Sequence, residues 1–502
     1  MKAIVVPIDN RPVTYVFPQL IGQIAGVEIL APPRNLMGSL QAITNVEAVS
    51  DWLSSALSAQ KPSGLLVCMD TIIYGGLIPS RRGEETPAQL VERAKAIPRW
   101  KKSSPGLKVY AQSSIMRVSD NYDATEEKQY WARYGREIYA WSEGMHRAMS
   151  TASSGSDESR KRAADLTQLE ARVPAEIRKD YLDTRTRNFQ LNRKLMEYAD
   201  SGDLDYLVFS QDDSGEYGLN VGEKEKLQTE CARRGLKNVY IYAGADEVLM
   251  TMMGRWLLQE LNIRPSVRIS FSPEAGGGIA SRYEGQTIGS SVKLQSEAIG
   301  LTTTGAKPDL HLIVHTSGDR QGDHIWLQGH PDLRAMNTKS AVERTIELLE
   351  ESNEPCVLCD VAYSNGSDPM LVQELLKRPE LLKKLWGYAG WNTTGNTLGS
   401  ALAMGVARWF AEKKETNAQA DEVLKSALFL RFADDWAYQT QVRKELGQDL
   451  SREKLRDLMA PHLAALGKAL EMQPSRVDLD LPWQRSFEIE IRHVYPETHL
   501  VS

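Results

Sequence analysis

Residues 206–218 read YLVFSQDDSGEYG. Four apolar or aromatic residues, 206–209, predict a buried strand, and the chain then breaks at once into Ser-Gln-Asp-Asp-Ser-Gly. A strand covered by helices on both faces is a near-continuous apolar run, and its carboxyl end is where such folds place ligands. Asp212, Asp213 and Tyr217 stand at that end. The stretch therefore predicts an α/β architecture and, with it, the place of action.

The same unit recurs on either side. Strands are expected at 3–8, 27–30, 64–69 and 108–113 before it and at 239–242 after it, with helical patterns between them. One such helix has Asn45 as its N-cap and Val46, Val49, Trp52, Leu53 and Leu57 on one face. From about 121 to 200 the rhythm gives way to a charged, aromatic stretch with a helical pattern. A second series of strands begins near Pro265, at 267–271, 310–315 and 356–359, and closes with GYAGWNTTGNTLG at 387–399. The tail is mainly helical with one alternating run, FEIEI, at 487–491.

Strands alternating with helices predict mostly parallel sheets. The expected fold is α/β with two Rossmann-like doubly wound domains. The first is 1–264 with a helical insertion at about 121–200, the second is 265–414, and the helical tail is 415–502. A decorated (β/α)8 barrel is the alternative, although about nine or ten strands are too many for a plain one.

The composition is that of a globular chain, 42% hydrophobic and 25% charged, so a large core is available. A net charge of -6 gives no general attraction to nucleic acid or to an anionic membrane. The opening MKAIVVPIDNRPV is too short and too charged for a signal peptide, and no run approaches the roughly 20 apolar residues of a membrane span. Cys356 and Cys359 fall on one strand, where residues three apart point to opposite faces. With Cys68 and Cys231 they read as free buried thiols of a cytoplasmic protein.

Polar residues gather where strands end. Asp9, Asn10, Arg11, Asp70, Asp212, Asp213, Asp246, Glu247, Asp360 and Asn365 all follow predicted strands, and Trp391, Asn392 and Asn396 open a small-residue helix. A single such Asp is an ordinary helix cap or turn residue. The set together predicts a site. Glycoside hydrolysis needs one carboxyl protonated to assist the leaving oxygen and one ionised to attack or to activate water. Asp212 and Asp213 are the expected catalytic residues, with Asp70 as partner. Arg11, Arg81, Asn365 and Asn392 would orient hydroxyls or a carboxylate, and Tyr74, Tyr217, Tyr363 and Trp391 would offer rings to a sugar's CH surface.

No G-x-G-x-x-G follows the first strand and no Walker loop occurs, so no nucleotide cofactor is expected. His311, His315, His324 and His330, with Asp319 and Asp323, are the one metal-like cluster, but they lack any repeated ligand spacing and read as core or surface histidines. In the tail, RFADDW at 431–436 sets Asp434 and Asp435 to hold arginines of the main fold.

The stretches PIDNRP (7–12), MDTIIYGGLIPSR (69–81), SQDDSGEYG (210–218), GADE (244–247), DVAYSNGSD (360–368), YAGWNTTGNTLG (388–399) and RFADDW (431–436) resemble the bacterial domain-of-unknown-function family 4127. The resemblance runs through nearly the whole chain. It implies site positions and a non-secreted bacterial protein, and it implies no reaction. The expected function is therefore a hydrolase acting on a small polar substrate, a glycoside first. A metal-dependent hydrolase or isomerase and a non-catalytic sugar-binding or regulatory protein are the alternatives.

Overall fold

A computed structural model describes residues 1–151, 157–304, 307–325, 332–333, 338–472 and 477–493. Its first sheet contains six parallel strands: β1 (Lys2–Val6), β2 (Glu28–Leu30), β3 (Gly64–Cys68), β4 (Lys108–Ile115), β5 (Tyr206–Gln211) and β6 (Val239–Ala243). Their order across the sheet is β2-β1-β3-β4-β5-β6. The second sheet has five parallel strands: β7 (Ser266–Ser272), β8 (Thr302–Thr303), β9 (Leu310–His315), β11 (Cys356–Asp360) and β13 (Leu385–Ala389). They run in the order β13-β11-β9-β7-β8. A two-stranded pair, β10 (Gly322–Asp323) with β12 (Tyr363–Ser364), lies just past the ends of β9 and β11.

The central strands β3, β5, β9 and β11 are buried at every residue, which is why their sequences run apolar without alternation. The edges β2 and β8 are only three and two residues long, too short to invite further pairing. Both sheets are open, so the barrel alternative does not form. In each, the strand order reverses next to the first strand, between β1 and β3 and between β7 and β9. Those reversals open the crevices in which doubly wound folds hold ligands.

The helix Thr394–Lys413 is buried from Thr394 to Ala411 on all sides. It packs on β11 and β13 of the second sheet and on the helix Val248–Leu261 that follows β6, so one apolar core runs through both halves. Its small residues permit the approach. A Cβ on Gly405 would come within 2.4 Å of Val357, and one on Gly399 within 2.3 Å of Glu247. Tight packing, not anion binding, accounts for that glycine pattern.

Helices Trp131–Thr151, Asp157–Glu170 and Ala175–Asp200 form the expected insertion between β4 and β5. They have a small core of their own around Trp131, Ile138, Trp141 and Tyr181. In the tail, Phe432–Val442 is a π-helix. The alternating run of the tail becomes a strand only from Glu490, where β15 (Glu490–His493) pairs antiparallel with β14 (Val477–Asp480). Among the described residues no helix is long and apolar enough to cross a membrane. All four cysteines are buried and free.

Candidate active site

The carboxyl ends of the first sheet carry two sets of ion pairs. After β1 the chain turns at Asp9, and Arg11 caps the helix Pro12–Ile24. Asp9 accepts from the Arg11 backbone N–H (3.0 Å), from Thr14 Oγ1 (2.5 Å) and from Arg11 Nη2 (2.7 Å). The same guanidinium reaches past the end of β6 to both oxygens of Asp246, at 2.6 and 3.0 Å, and to Glu488 of the tail at 3.3 Å. Burial pushes Asp246 above the usual carboxylate range and Arg11 pulls it back.

The second set lies past β4 and β5. Arg81, 1% exposed on the short helix Leu77–Arg82, donates to Asp212 Oδ2 at 2.7 Å and lies 3.4 and 3.5 Å from Glu126 and Glu127. Arg117 contacts the same acids, with Glu127 at 2.8 Å, Glu126 at 3.1 Å, Asp212 at 3.4 Å and Asp213 at 3.1 Å. Crowding by protein, then the charge of Asp212, holds Asp213 above the ordinary carboxylate range against the pull of Arg117, although 38% of its side chain stays open. Glu126 is held low: burial opposes its charge, but Arg117, Arg81 and Arg485 outweigh that penalty.

From Asp213 the contacts pass to the second sheet. Ser214 N–H donates to the Tyr283 carbonyl (2.6 Å), and the Tyr283 hydroxyl donates to Asp323. Asn365 Nδ2 donates to the other oxygen of Asp323 (2.9 Å), and its backbone N–H donates to the Asn392 carbonyl (2.8 Å). Next to Asn392, the Trp391 ring lies 5.3 Å from the Arg431 guanidinium, and Arg431 donates to Asp434 at 2.8 Å. Gln439 Nε2 donates to Asp434 Oδ1 and to the Phe487 carbonyl, both at 3.1 Å, and the next residue, Glu488, returns the circuit to Arg11. The strand ends of both sheets thus share one ring of contacts.

Four non-glycine residues of this ring have left-handed backbones: Asp213 (φ 36), Tyr283 (φ 65), Asn365 (φ 61) and Asn392 (φ 52). Asp and Asn tolerate that region, whereas a tyrosine there is strained, and such strain gathers at functional sites.

Of the residues expected from sequence, Asp9, Arg11, Arg81, Asp212, Asp213, Asp246, Asn365 and Asn392 come together. Asn10 joins through its side chain, which accepts from Trp483 Nε1 at 2.7 Å. Others serve the frame beneath. Asp70 is buried and ties β3 to β4 by accepting from the backbone N–H (3.0 Å) and hydroxyl (3.1 Å) of Ser114 and from Cys68 Sγ (3.6 Å), so the bonds it makes are to β3 and β4 and not to Asp212 or Asp213. Burial pushes its carboxyl to about 6. Glu247 is pushed by burial to about 8, and accepts from Ala245 N–H (2.9 Å) and Gln295 Nε2 (2.8 Å). Asp360 accepts from Asp368 N–H at 2.7 Å.

Asn396 sits buried in the first turn of its helix, accepting at its carbonyl from Ser400. Tyr74 is buried beside Arg187, and Tyr217 is half-covered by Arg147 at the insertion. Trp391 is buried too, with its indole N–H on Ser400 and Arg431 beside its ring, so it is a packing surface and not an open sugar platform.

The histidines are engaged elsewhere. His311 pairs with Ser270 and Ser352, His315 with Thr345 and Asp368, and His324 with the Ser367 carbonyl. Asp319 is exposed, and His330 lies outside the described residues. No three or more His, Cys, Asp or Glu side chains among the described residues are arranged to hold a metal ion. In the ring, guanidiniums stand between the carboxylates. A cavity of about 270 Å³ lies apart from it, between the helix Arg452–Ala469 and β14–β15, lined by Arg452, Arg456, Asp478 and Asp480 among others.

Several members of the ring escaped the sequence reading. β4 runs to Ile115, two residues beyond its expected end, which places Arg117 directly past a strand rather than in mid-loop. The strand-end rule would have found it. Glu126, Glu127 and Tyr283 lie in loops, and Arg485 and Glu488 lie far away in sequence, so local pattern held no sign of them.

A family model described as "Protein of unknown function (DUF4127)" matches residues 3–492. No curated protein and no solved structure matches the chain.

Proposed function

The chain belongs to the DUF4127 family, and from that premise, which brings no reaction with it, we propose that it is a hydrolase acting on a small polar substrate, a glycoside first, through Asp212 and Asp213. The observation that carries this reading is the unequal treatment of two adjacent carboxyls by one arginine. Asp212 is clamped by Arg81 at 2.7 Å and Arg117 at 3.4 Å. Asp213 has only Arg117, at 3.1 Å, and is held above the usual carboxylate range. Two carboxyls whose surroundings push them apart are an acid and its ionised partner.

Both oxygens lie within 3.4 Å of Arg117 Nη1, which caps their separation at about 6.5 Å and supports the about 5 Å of a retaining enzyme over a wider inverting gap. Asp213 then gives its proton to the leaving oxygen while Asp212 attacks the anomeric carbon. Asp213, now ionised, takes a proton from the water that cleaves the ester. Seven carboxyls (Asp9, Glu126, Glu127, Asp212, Asp213, Asp246 and Glu488) against four guanidiniums (Arg11, Arg81, Arg117 and Arg485) favour the positive charge that develops on the sugar ring. Arg11 and Arg81 are committed to carboxylates and Asn365 to Asp323, and they hold this array, which leaves Asn392 to meet hydroxyls. The reading calls for no nucleic acid and no membrane, and the buried free thiols suit a cytoplasmic protein.

A panel of aryl glycosides with product detection by mass spectrometry tests this. Turnover of at least one is expected, and its loss in Asp212→Asn and Asp213→Asn while the fold is kept. Saccharides that raise the melting temperature with no product from any of them would replace the hydrolase with a binding protein.

A further inference from the structure

The tail meets the first sheet along one short segment. Trp483 Nε1 donates to Asn10 (2.7 Å), Arg485 Nη1 donates to Glu126 Oε1 (2.9 Å), Glu488 accepts from Arg11 (3.3 Å), and Glu490 pairs with Arg34 (2.5 Å). On its other side, Tyr438 and Gln439 of the π-helix donate to the carbonyls of Ser486 (2.8 Å) and Phe487 (3.1 Å). The β14–β15 ribbon that flanks the segment joins neither large sheet. Trp483 (φ 59) and Gln484 (φ 53), both left-handed, make the turn into it. The segment is a strap fastened at both sides.

Among the described residues, no ion pair runs directly from the Asp9–Arg11–Asp246 set to the Arg81–Arg117 set. Arg485 and Glu488, 2.7 Å apart, are the link. Glu126 is the point of leverage. Its Oε2 is shared between Arg117 (3.1 Å) and Arg81 (3.4 Å), and its Oε1 is taken by Arg485. Without Arg485, Glu126 would turn its full charge on those two arginines and draw them from Asp212 and Asp213.

We propose that Arg485 is a positioning residue for the carboxyl pair: seated on Glu126, it sets how much of the Arg81 and Arg117 charge reaches Asp212 and Asp213, and the strap thereby completes the site. The proposal rests on the reading of those two residues as acid and base. The groups facing Asp213 are Asp212 beside it, Arg117 and Arg81, Glu126 from the loop after β4, and Tyr283 from the second sheet.

The test is carboxyl NMR of the full chain labelled with ¹³C-aspartate, the Asp213 signal being assigned with Asp213→Asn. Arg485→Ala should raise the Asp213 midpoint by about half a pH unit or more, and Arg485→Lys, which keeps the charge, should restore most of that shift. Arg452→Ala breaks the ribbon's pair with Asp480 without touching Glu126 and should leave the midpoint alone. Should Arg485→Ala fail to fold, Glu126→Gln carries the test with opposite sign, because removing a like charge must lower the midpoint. An unmoved midpoint in folded Arg485→Ala, an equal shift in Arg452→Ala, or an unmoved midpoint in Glu126→Gln overturns the proposal. No turnover is needed, so missing glycosidase activity would strike the acid/base reading and leave this result standing.

Discussion

Arg81 and Asp212 meet at 2.7 Å across the ends of two different elements, the arginine 1% exposed and the carboxylate 19%. The pair joins the short helix after β3 to the tip of β5.

Removing that arginine leaves Glu127 and Asp212 short of a counter-charge. Arg81→Ala should cost about 3 kcal/mol of stability, the low end for a broken buried pair because Asp212 is partly solvated. Arg81→Lys should recover only part, since an ammonium cannot serve several carboxylates with a planar fork. Urea unfolding measures both.

The acid/base assignment predicts unequal kinetic signatures. Asp213→Asn should lower kcat/KM by about 10²–10⁴-fold and remove the upper pH limb of the rate, as loss of a general acid does. Asp212→Asn should abolish formation of the covalent intermediate, read by mass spectrometry of protein trapped with a fluorinated glycoside. An intact upper limb in Asp213→Asn would reassign the proton donor.

Stability should fall as the solution becomes alkaline. Glu247, ordinarily at 4.5, titrates at about 8 in the fold, and Asp70 moves from 3.8 to about 6. Both are raised by burial, so the folded state holds protons that the unfolded chain has released. Their contribution is whole below the unfolded values and is lost as pH climbs through 6 and then 8. Glu126, held low, works in reverse and loses its contribution in acid. The melting temperature should therefore peak at about pH 5 and decline toward alkaline pH. A melting temperature that rises steadily from pH 5 to pH 8.5 would contradict this.

Close packing of the central helix gives a stability test independent of charge. A Cβ on Gly387 would stand 2.2 Å from the Ala401 carbonyl oxygen, a backbone atom that cannot step aside, whereas one on Gly278 meets nothing within 4 Å. Gly387→Ala should cost about 1–3 kcal/mol and Gly278→Ala almost nothing. Equal melting temperatures for the two would show that the helix moves freely against β13.

The parallel architecture was legible because buried strands cannot alternate: YLVF at 206–209 and CVLC at 356–359 have no polar side to show, and GLLVC at β3 behaves the same way. Strand-end chemistry followed from it and located Asp9, Arg11, Asp212, Asp213 and Asp246. Position at a strand end does not tell an aspartate that satisfies a neighbour from one that stays open to a ligand. Asp70 and Asp360 look like Asp212 in sequence, yet Asp70 binds an N–H of strand β4 and Asp360 binds that of Asp368 in the loop after its own strand. Only tertiary placement separates the two uses. Arg485 and Glu488 could not be found at all by local rules, since the FEIEI pattern reports solvent and core faces and not which distant arginine an outward glutamate will meet.

From Arg11 to Glu488 is a distance of 477 positions along the chain. Synthesis delivers the first sheet early, and domains fold largely in the order they emerge. The newborn N-terminal sheet therefore waits for these counter-charges until Arg485 and Glu488 have been translated. A chain that stops short of residue 485 lacks both partners, and Arg11 and Glu126 are left without the ion pairs that join their two sets.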